Sequence, residues 1–390
     1  MYSLLIAIIY LAFISLGLPD SLLASAWPAM HPQMNVPLSY AGIISMIIAG
    51  GTIVSSLLSD KLTKKFGTGL VTAISVMTTA IALFGFSISK SFWMLCLLSI
   101  PYGFGAGAVD AALNNYVAIN YAAHHMSWLH CFWGVGASIS PYVMSHYLTR
   151  GHDWGNGYKA IGIIQICLTA ILFLSLPLWK SQKNSGSGSV VHNETLKLSD
   201  VLKIRGVKYI LLAFFAYCAF ESTTGLWASS YLVMARGIST EMAAKYTSFF
   251  YLGITFGRFL SGFVTNKIGD KNMIRIGAVI IFLGVLFVAI PAAGDALCLG
   301  GLVTIGIGCA PIYPSIIHST PYNFGEENSQ AIVGIQMASA YTGATFMPPL
   351  FGIIADKINV NFYLIFIVIF LIMMSVSTEI MNRTVKINTK

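Results

Sequence analysis

The sequence predicts an all-α integral membrane protein with twelve transmembrane helices, arranged as two six-helix bundles related by pseudo-symmetry. Three observations support this prediction. Of the 390 residues, 56% are hydrophobic and only 9% are charged, whereas soluble domains carry roughly a quarter charged residues. The apolar residues fall in runs of about 20, the length that crosses a hydrocarbon core. The last six runs also repeat motifs of the first six.

Twelve apolar runs follow one another along the chain, separated by short polar segments such as "HPQMNVP" and "NKIGDKN". They lie near residues 2–27, 38–58, 69–87, 92–119, 126–148, 158–179, 208–233, 242–265, 273–291, 295–317, 329–354 and 360–381. Each run predicts one transmembrane helix. We expect no cleavable signal peptide, because the first run is long, contains Asp20 and has no basic residue before it.

The basic residues predict the orientation in the membrane. With the N-terminus inside, most of the 22 Lys and Arg residues fall in inner segments, among them Lys61, Lys64 and Lys65. This bias places both termini in the cytoplasm and predicts the plasma membrane, a bacterial cytoplasmic membrane. It also accounts for the formal net charge of +8. A nucleic-acid partner is not expected, because the basic residues do not cluster on one soluble face.

Motifs of common enzyme and cofactor classes are absent from the sequence. It has no Gly-x-x-x-x-Gly-Lys-Ser/Thr nucleotide loop and no Gly-x-Ser-x-Gly nucleophile elbow. The six cysteines lie inside apolar runs without paired spacing, which indicates neither a disulfide framework nor a zinc site. We therefore predict that the protein is not an enzyme and needs no cofactor or metal.

One long polar stretch, "KSQKNSGSGSVVHNETLKLSD", separates the sixth run from the seventh. Its Ser- and Gly-rich centre has the composition of a flexible linker. The predicted domains are therefore an N-terminal six-helix bundle at 1–180, a cytoplasmic linker at 181–207 and a C-terminal six-helix bundle at 208–390. The end of the linker, "LKLSDVLKI", has the pattern of a short amphipathic helix on the inner membrane surface.

An internal repeat relates the two predicted bundles. The aligned anchors are, in chain order, Asp20 with Glu221, Gly51 with Gly257, Asp60-Lys61 with Asn266-Lys267, Gly103 with Gly306, and Pro141 with Pro349. Each match is short, but the anchors occur in the same order at a nearly constant separation. Such a pattern indicates duplication of a six-helix unit.

Two such repeats joined by a linker resemble the major facilitator superfamily. The segment "SDKLTKKFG" is similar to that superfamily's signature between its second and third helices, Gly-x-x-x-Asp-Arg/Lys-x-Gly-Arg-Arg/Lys, with Ser56 and Thr63 in place of its glycines. The resemblance implies that Asp60 and Lys61 take part in an inner gate, with Asp60 capping a helix end and pairing with a cation. A plain stop signal of positive charge is the alternative for this segment.

Away from the ends of the predicted spans, the candidate charged residues at bilayer depth are Asp20, Asp110, Glu221 and Arg258. Ionisable groups at bilayer depth cost roughly 2.5–3.5 kcal/mol each, so they commonly mark function. Pro19 is expected to kink the first helix beside Asp20, and an acid that caps a broken helix is the alternative. Asp110 lies in the middle of a helix without a basic neighbour, so it must be protonated or meet a partner across the bundle.

Asn114 follows Asp110 by four residues, one turn along the same helix face, and Asn115 extends the polar cluster. Amides and a carboxyl on one face suit a ligand rich in hydroxyl groups, because each can donate to or accept from a hydroxyl. An amide bond between helices, or an acid buried against hydroxyls, would give the same pattern. Both alternatives remain open.

A closer resemblance is carried by "GFGAGAVDAALNNY", "LPDSLLASAWP", "HCFWGVGASISP", "FFAYCAFESTTGLWASSYL" and "LGITFGRFLSGF". They resemble helices one, four, five, seven and eight of the superfamily's fucose/glucose permease branch. Asp110 stands where that branch usually has glutamate. The resemblance implies that Asp20 and Asp110 couple hexose uptake to protons and contact the solute. Glu221 is a further candidate for both roles.

Further candidates for solute contact are polar or aromatic residues in the spans: His130, Trp133, Trp227 and Gln336. Aromatic rings stack on the C–H faces of sugars, although in membrane helices they also serve as packing or interfacial anchors. For His130 and Gln336, bonding between helices is the alternative. Arg258 is expected either as a gate cation or as the partner of an acid.

These features predict a proton-coupled secondary transporter that moves a small polar solute, a hexose-type sugar, by alternating access. The predicted partners are this solute, protons and the lipid bilayer, and the protein is expected to act as a monomer. Proton-coupled efflux of drugs or metabolites on the same fold is an alternative, and a receptor that no longer transports is another. Drug sensitivity of cells that make the protein would separate efflux from uptake.

Overall fold

The structure is a computed structural model that describes residues 2–37, 40–150, 153–183, 198–238, 240–290 and 295–386. Over these residues the chain is helical and contains no strand. The centre of the predicted linker at 181–207 lies outside the described residues, at 184–197. The short membrane-surface helix expected near its end is described only in part, as a four-residue helix from Leu198 to Val201.

Eight helices precede this segment. They are α1 (Tyr2–Asp20), α2 (Leu22–Gln33), α3 (Ala41–Phe66), α4 (Thr68–Ile88), α5 (Phe92–Asn120), α6 (Ala123–Thr149), α7 (Trp154–Leu174) and α8 (Leu176–Lys183). The predicted first run forms α1 and the first half of α2, and each of the next five runs coincides with one long helix. α8 continues the sixth run after a break at Ser175.

Nine helices follow it. They are α9 (Leu198–Val201), α10 (Val207–Arg236), α11 (Thr240–Ile268), α12 (Asp270–Ala289), α13 (Asp295–Cys309), α14 (Ile312–His318), α15 (Thr320–Phe324), α16 (Glu326–Lys357) and α17 (Tyr363–Lys386). A 3₁₀ turn at Val360–Phe362 leads into α17. The tenth run is divided between α13 and α14, and the other five runs each form one long helix.

Nine spans within the described residues are long and apolar enough to cross a membrane. α6, α11 and α16 are equally long but more polar, and they coincide with the remaining three predicted runs. Twelve membrane-length segments, all helical, confirm the predicted fold class. The apolar residues form these helices because hydrocarbon offers backbone N–H and C=O groups no partner, and a helix satisfies them internally.

The chain divides into two compact units. The first comprises Met1–Tyr116 and Phe132–Thr195, and the second comprises Val117–Cys131 and Leu196–Lys390. The last turn of α5 and the first part of α6 therefore belong to the second unit. Asp20, Asp110 and Trp133 lie in the first unit, whereas Glu221, Arg258 and His130 lie in the second.

The first span is interrupted beside its acid. α1 ends at Asp20, one residue after Pro19, and α2 begins at Leu22. Because Pro19 has no N–H, it leaves the carbonyl of Ser15 without its usual helical donor. The amide of Gln165 on α7 donates to that carbonyl at 2.5 Å and accepts from the Ser15 hydroxyl. α7 thus stabilises the broken helix just before Asp20.

The tenth predicted run is interrupted in the second unit. α13 ends at Cys309 and α14 begins at Ile312, with Pro311 between them. The hydroxyl of Tyr217 on α10 donates to the Cys309 carbonyl at 2.9 Å. A side chain from a neighbouring helix therefore satisfies a backbone acceptor at the break, as discontinuous membrane helices require.

Close helix crossings confirm the internal repeat. A Cβ atom at Gly136 would meet the backbone oxygen of Ile14 and the backbone nitrogen of Leu18, so α6 packs directly on α1. A Cβ atom at Gly343 would meet the backbone oxygen of Phe215 and the backbone nitrogen of Ala219, so α16 packs on α10 in the same way. Only a residue without a side chain permits such an approach.

A second pair of crossings corrects one anchor of the alignment. Gly51 faces Gly103 where α3 crosses α5, and Gly253 faces Gly306 where α11 crosses α13. The partner of Gly51 is therefore Gly253, one helical turn before the predicted Gly257. The sequence comparison chose wrongly because both glycines lie on the same face of α11, four residues apart.

Candidate functional site

Asp20 of the first unit is held by an aromatic donor. The indole Nε1 of Trp133 on α6 donates to Asp20 Oδ2 at 2.9 Å. The close approach of α6 to α1 places Trp133 against the end of α1, because a Cβ atom at Gly17 would meet the Trp133 carbonyl. Asp20 is itself exposed, so its carboxyl is accessible while one oxygen stays fixed.

Asp110 lies in the middle of α5 and is 6% exposed. The side-chain amide of Asn114 donates to Asp110 Oδ1 at 2.7 Å and to the Asp110 carbonyl at 3.0 Å. The spacing of four residues predicted this shared face. Asn115 is also buried, at 6%. An amide donor one turn away therefore accompanies the buried acid on its own helix.

The two acids of the first unit lie close enough for their charges to interact, and Tyr102 on α5 is also within electrostatic reach of Asp20. A small cavity of about 10 Å³ is lined by Ser15, Pro19, Tyr102 and Val109 among other residues, so it borders the chain neighbours of the two acids. A cavity of this size holds about one water molecule. The first unit therefore brings two carboxyls together with a phenol and an indole.

The acid of the second unit has a cationic partner. Arg258 Nη2 on α11 lies 3.6 Å from Glu221 Oε1 on α10, with 6% and 22% of the two side chains exposed. Tyr217 and Tyr313 lie near the same guanidinium. Two roles were predicted for Arg258, a gate cation and the partner of an acid. Its contact with Glu221 agrees with the second role. Its gate role stays a prediction.

The remaining polar candidates of the second unit lie in packed surroundings. The ring of His130 packs edge-on against that of Tyr313, with the ring centroids 4.6 Å apart. The indole of Trp227 donates to the Pro348 carbonyl at 2.8 Å. Gln336 is fully buried, and its Oε1 accepts from Thr320 at 3.0 Å. Their predicted contact with a solute remains a prediction.

The gate candidates lie near the end of α3. Asp60 is 6% exposed and pairs with Lys64 of the same helix at 3.1 Å, while Lys61 is exposed. α3 continues past Thr63, where the signature has glycine, and ends at Gly67, whose φ of 81° permits the reversal. The described contact of Asp60 is thus within its own helix, and the gate role stays a prediction.

Tyr102 and Tyr217 are site residues that the sequence reasoning missed. Tyr217 precedes Glu221 by four residues and Tyr102 precedes Asp110 by eight, spacings that place each tyrosine on the face of its acid. This periodicity was the signal that could have found them. Ser15 and Gln165 were also missed, and since they pair across 150 residues no local pattern points to them.

The chain is similar to known membrane transporters. The sequence model of the Major Facilitator Superfamily matches it over residues 9–335 and 246–379. The glucose/mannose transporter GlcP of Bacillus subtilis is 22% identical to it, over 78% of this chain and 77% of that protein. The cis,cis-muconate transport protein of Acinetobacter baylyi is also 22% identical, over 69% of this chain and 68% of that protein.

The fold is similar to that of a solved transporter. The crystal structure of the Escherichia coli fucose:proton symporter superposes with a TM-score of 0.76 at 14% identity, covering 97% of this chain and 99% of that one. At this identity the likeness concerns the fold. Because the family's sequence model extends over most of its length, the chain belongs to the Major Facilitator Superfamily and is a membrane-spanning transporter of a small-molecule solute, not an enzyme.

Proposed function

We propose that this transporter is a proton-coupled secondary transporter that moves a hexose-type sugar by alternating access. Its similarity to a glucose/mannose transporter supports a sugar as the solute. The likeness in fold to a fucose:proton symporter is consistent with proton coupling. The assignment depends on the acids of the first unit, because coupling needs a group that exchanges a proton.

One observation carries the proposal: Asp20 and Asp110 lie within electrostatic reach of each other, and their described donors, Trp133 and Asn114, are neutral. Two carboxylates that repel each other gain when one of them binds a proton. They then titrate as a pair rather than as separate groups. A shared proton is therefore the natural charge carrier of this site.

Solute recognition follows from the same residues. Asp20 presents an accessible carboxyl, which accepts hydrogen bonds from hydroxyl groups. Trp133 is partly buried, and its indole is fixed by the bond to Asp20, so its ring offers an ordered apolar face beside the acid. A sugar presents both hydroxyl groups and C–H faces, which match this combination. Asn115, His130, Trp227 and Gln336 stay secondary candidates for contact.

The proposed cycle couples the two ligands through linkage. A proton enters the Asp20–Asp110 pair from outside and leaves one carboxyl neutral, which favours binding of the sugar. The loaded protein then changes its accessible side, the proton departs to the cytoplasm, and the charged pair releases the sugar. By reciprocity the sugar must raise the affinity for the proton by the same factor.

The remaining predictions of topology belong to this proposal. We place both termini in the cytoplasm, because the inner segments carry most of the basic residues. The protein is proposed to act as a monomer of two six-helix bundles, at 1–180 and 208–390, in a bacterial cytoplasmic membrane. Labelling of single cysteines at either end of the chain in intact cells and in inverted vesicles would test the orientation.

Purified protein in liposomes tests the function. Hexoses, cis,cis-muconate and common efflux drugs are offered with and without an imposed proton gradient, and both solute and proton movement are recorded. We expect a hexose to accumulate only with the gradient directed inward and to carry protons with it. Accumulation of muconate instead would overturn the sugar assignment, and hexose uptake that ignores the gradient would overturn proton coupling.

A further inference from the structure

The turn between α5 and α6 is joined to three other helices of the second unit by two histidines. His318 of α14 lies with Nδ1 2.7 Å from Asp270 Oδ2 of α12, and with Nε2 3.4 Å from the carbonyl oxygen of Tyr121. His124 of α6 meets Asn266 of α11 through two contacts. We call these five residues the histidine latch.

The geometry of His318 requires its charged form. Both of its ring nitrogens face acceptors, a carboxylate on one side and a carbonyl on the other. A neutral imidazole carries one N–H and can serve only one of them, whereas the imidazolium donates from both nitrogens. Asp270 completes an ion pair with the charged ring, and the two side chains are 17% and 20% exposed.

The geometry of His124 requires its neutral form. The backbone N–H of His124 donates to Asn266 Oδ1 at 3.2 Å, which orients the side-chain Nδ2 of Asn266 toward the ring. That amide nitrogen lies 2.7 Å from His124 Nδ1. Since an amide N–H₂ only donates, Nδ1 must be an unprotonated acceptor. The same latch therefore needs one charged and one neutral histidine.

We infer that the histidine latch is a conformational lock of the transport cycle, closed only within a window of pH. A proton on His124 Nδ1 removes the acceptor of its bond to Asn266. Alkalinisation deprotonates His318 and removes a donor together with the ion pair. The titratable groups described around the two rings are Asp270 on α12, Tyr121 at the end of α5, and His125, whose ring centroid lies 4.0 Å from that of His124.

The repeat explains why the latch exists in one half of the chain. By the Gly51–Gly253 match, Asn266 stands where the first unit has Lys64, which pairs with Asp60 of its own helix. Asn266 has no charge for such a pair and bonds to another helix instead. His318 and Asp270 thus act as positioning residues that hold the α5–α6 turn.

Hydrogen exchange at residues 121–125 of the purified full-length protein, measured from pH 5 to pH 9 and corrected for intrinsic rates, tests the lock. In the wild type we expect protection at intermediate pH, about tenfold faster exchange at alkaline pH, where a charged hydrogen bond is lost, and about threefold faster exchange at acid pH, where a neutral one is lost. His318→Gln should exchange fast at every pH. His124→Gln should remove the acceleration at acid pH, because glutamine does not titrate. His146→Gln, at the far end of α6, is the control and should match the wild type.

Two results would overturn the lock: unchanged protection in His318→Gln, or acid acceleration that persists in His124→Gln. Asp270→Asn provides a second variant that removes the ion pair without changing either histidine. Its exchange should resemble that of His318→Gln, and wild-type protection there would also contradict the lock. The measurement needs no solute, so a failure of the proposed sugar transport would leave its outcome readable.

Discussion

Asp20 and Glu221 occupy equivalent positions in the two repeats but have opposite electrical surroundings. In α1 the backbone nitrogen of Leu18 faces a glycine of the crossing helix, and in α10 the backbone nitrogen of Ala219 does the same. Asp20 and Glu221 each lie two residues after these positions. Asp20 accepts from a neutral indole and is exposed to the charge of a second acid. Glu221 faces the guanidinium of Arg258. Among the described contacts, the acid of the first repeat thus has a neutral donor and an acidic neighbour, whereas the acid of the second repeat has a cation.

Other equivalent positions of the two repeats also differ in charge. Asp110 follows Gly103 by seven residues, and Tyr313 follows Gly306 by seven, so a phenol replaces the second acid. By the Gly51–Gly253 match, Arg258 stands where the first repeat has Ser56. The duplicated framework therefore carries an acid pair in one copy and an acid–arginine pair in the other. Under the proposed function, proton exchange belongs to the first unit, and Glu221, expected from the sequence as a further coupling acid, balances the charge of Arg258 instead.

The largest expected effect is at Asp110. Asp110→Asn keeps the shape and the contact with Asn114 but removes the titrating group, so we expect uphill accumulation to be lost while exchange across the membrane continues. Uptake against a gradient and counterflow in liposomes separate these two results. Asp200→Asn, whose partner Lys203 lies outside the spans, is the control. Unchanged accumulation in Asp110→Asn would remove this acid from coupling.

The ion pair between Glu221 and Arg258 should contribute to the free energy of unfolding. Glu221→Gln leaves the charge of the buried Arg258 uncompensated, which we expect to cost on the order of 1–3 kcal/mol, less than a fully buried pair because Glu221 is partly exposed. Arg258→Met should cost less, and the double variant less than the sum of both. Thermal unfolding of all three variants in detergent measures this. Additive losses would mean that the pair does not interact.

The helix crossing that holds Trp133 near Asp20 should also be sensitive. In Gly17→Ala the new methyl group meets the backbone of α6, so we expect a loss of about 1–3 kcal/mol from overpacking. Gly50→Ala on α3 has open space around its new Cβ and should be neutral or slightly stabilising. Equal melting temperatures for the two variants would show that the crossing can relax without cost.

The smallest effect is expected at the donor to Asp20. Trp133→Phe retains an aromatic face but removes the 2.9 Å hydrogen bond. A bond to a charged group contributes roughly 1.5–3 kcal/mol at most, and the exposure of Asp20 lets water replace part of it. We therefore expect about a fivefold to tenfold weaker apparent affinity for solute, measured by uptake kinetics. Trp227→Phe is the matched comparison, because the indole of Trp227 donates to the Pro348 carbonyl and not to an acid.

The sequence predicted what depends on local spacing. Membrane-length helices follow from the apolar runs, and the contact of Asn114 with Asp110 follows from their separation by one turn. The order of motifs along the sequence also identified Asp20 and Glu221 as equivalent positions of the two repeats. These features need no knowledge of how one helix faces another.

The sequence did not predict which residue holds Asp20 or which acid Arg258 meets. Trp133 and Asp20 are 113 residues apart, and Arg258 reaches Glu221 from a different helix. Helices such as α1 and α5 are apolar around most of their circumference, so periodicity does not reveal which face meets which neighbour. The wrong choice of Gly257 over Gly253 has the same origin, since helix packing sets the register of a crossing.

Proton uptake on solute binding is the direct test of a proton shared between Asp20 and Asp110. A hexose is added to the purified protein in weakly buffered solution, and the pH change is recorded for the wild type, Asp110→Asn and Glu221→Gln. We expect the wild type and Glu221→Gln to take up protons and Asp110→Asn to take up none. Hexose binding to the wild type without any proton uptake would contradict this expectation.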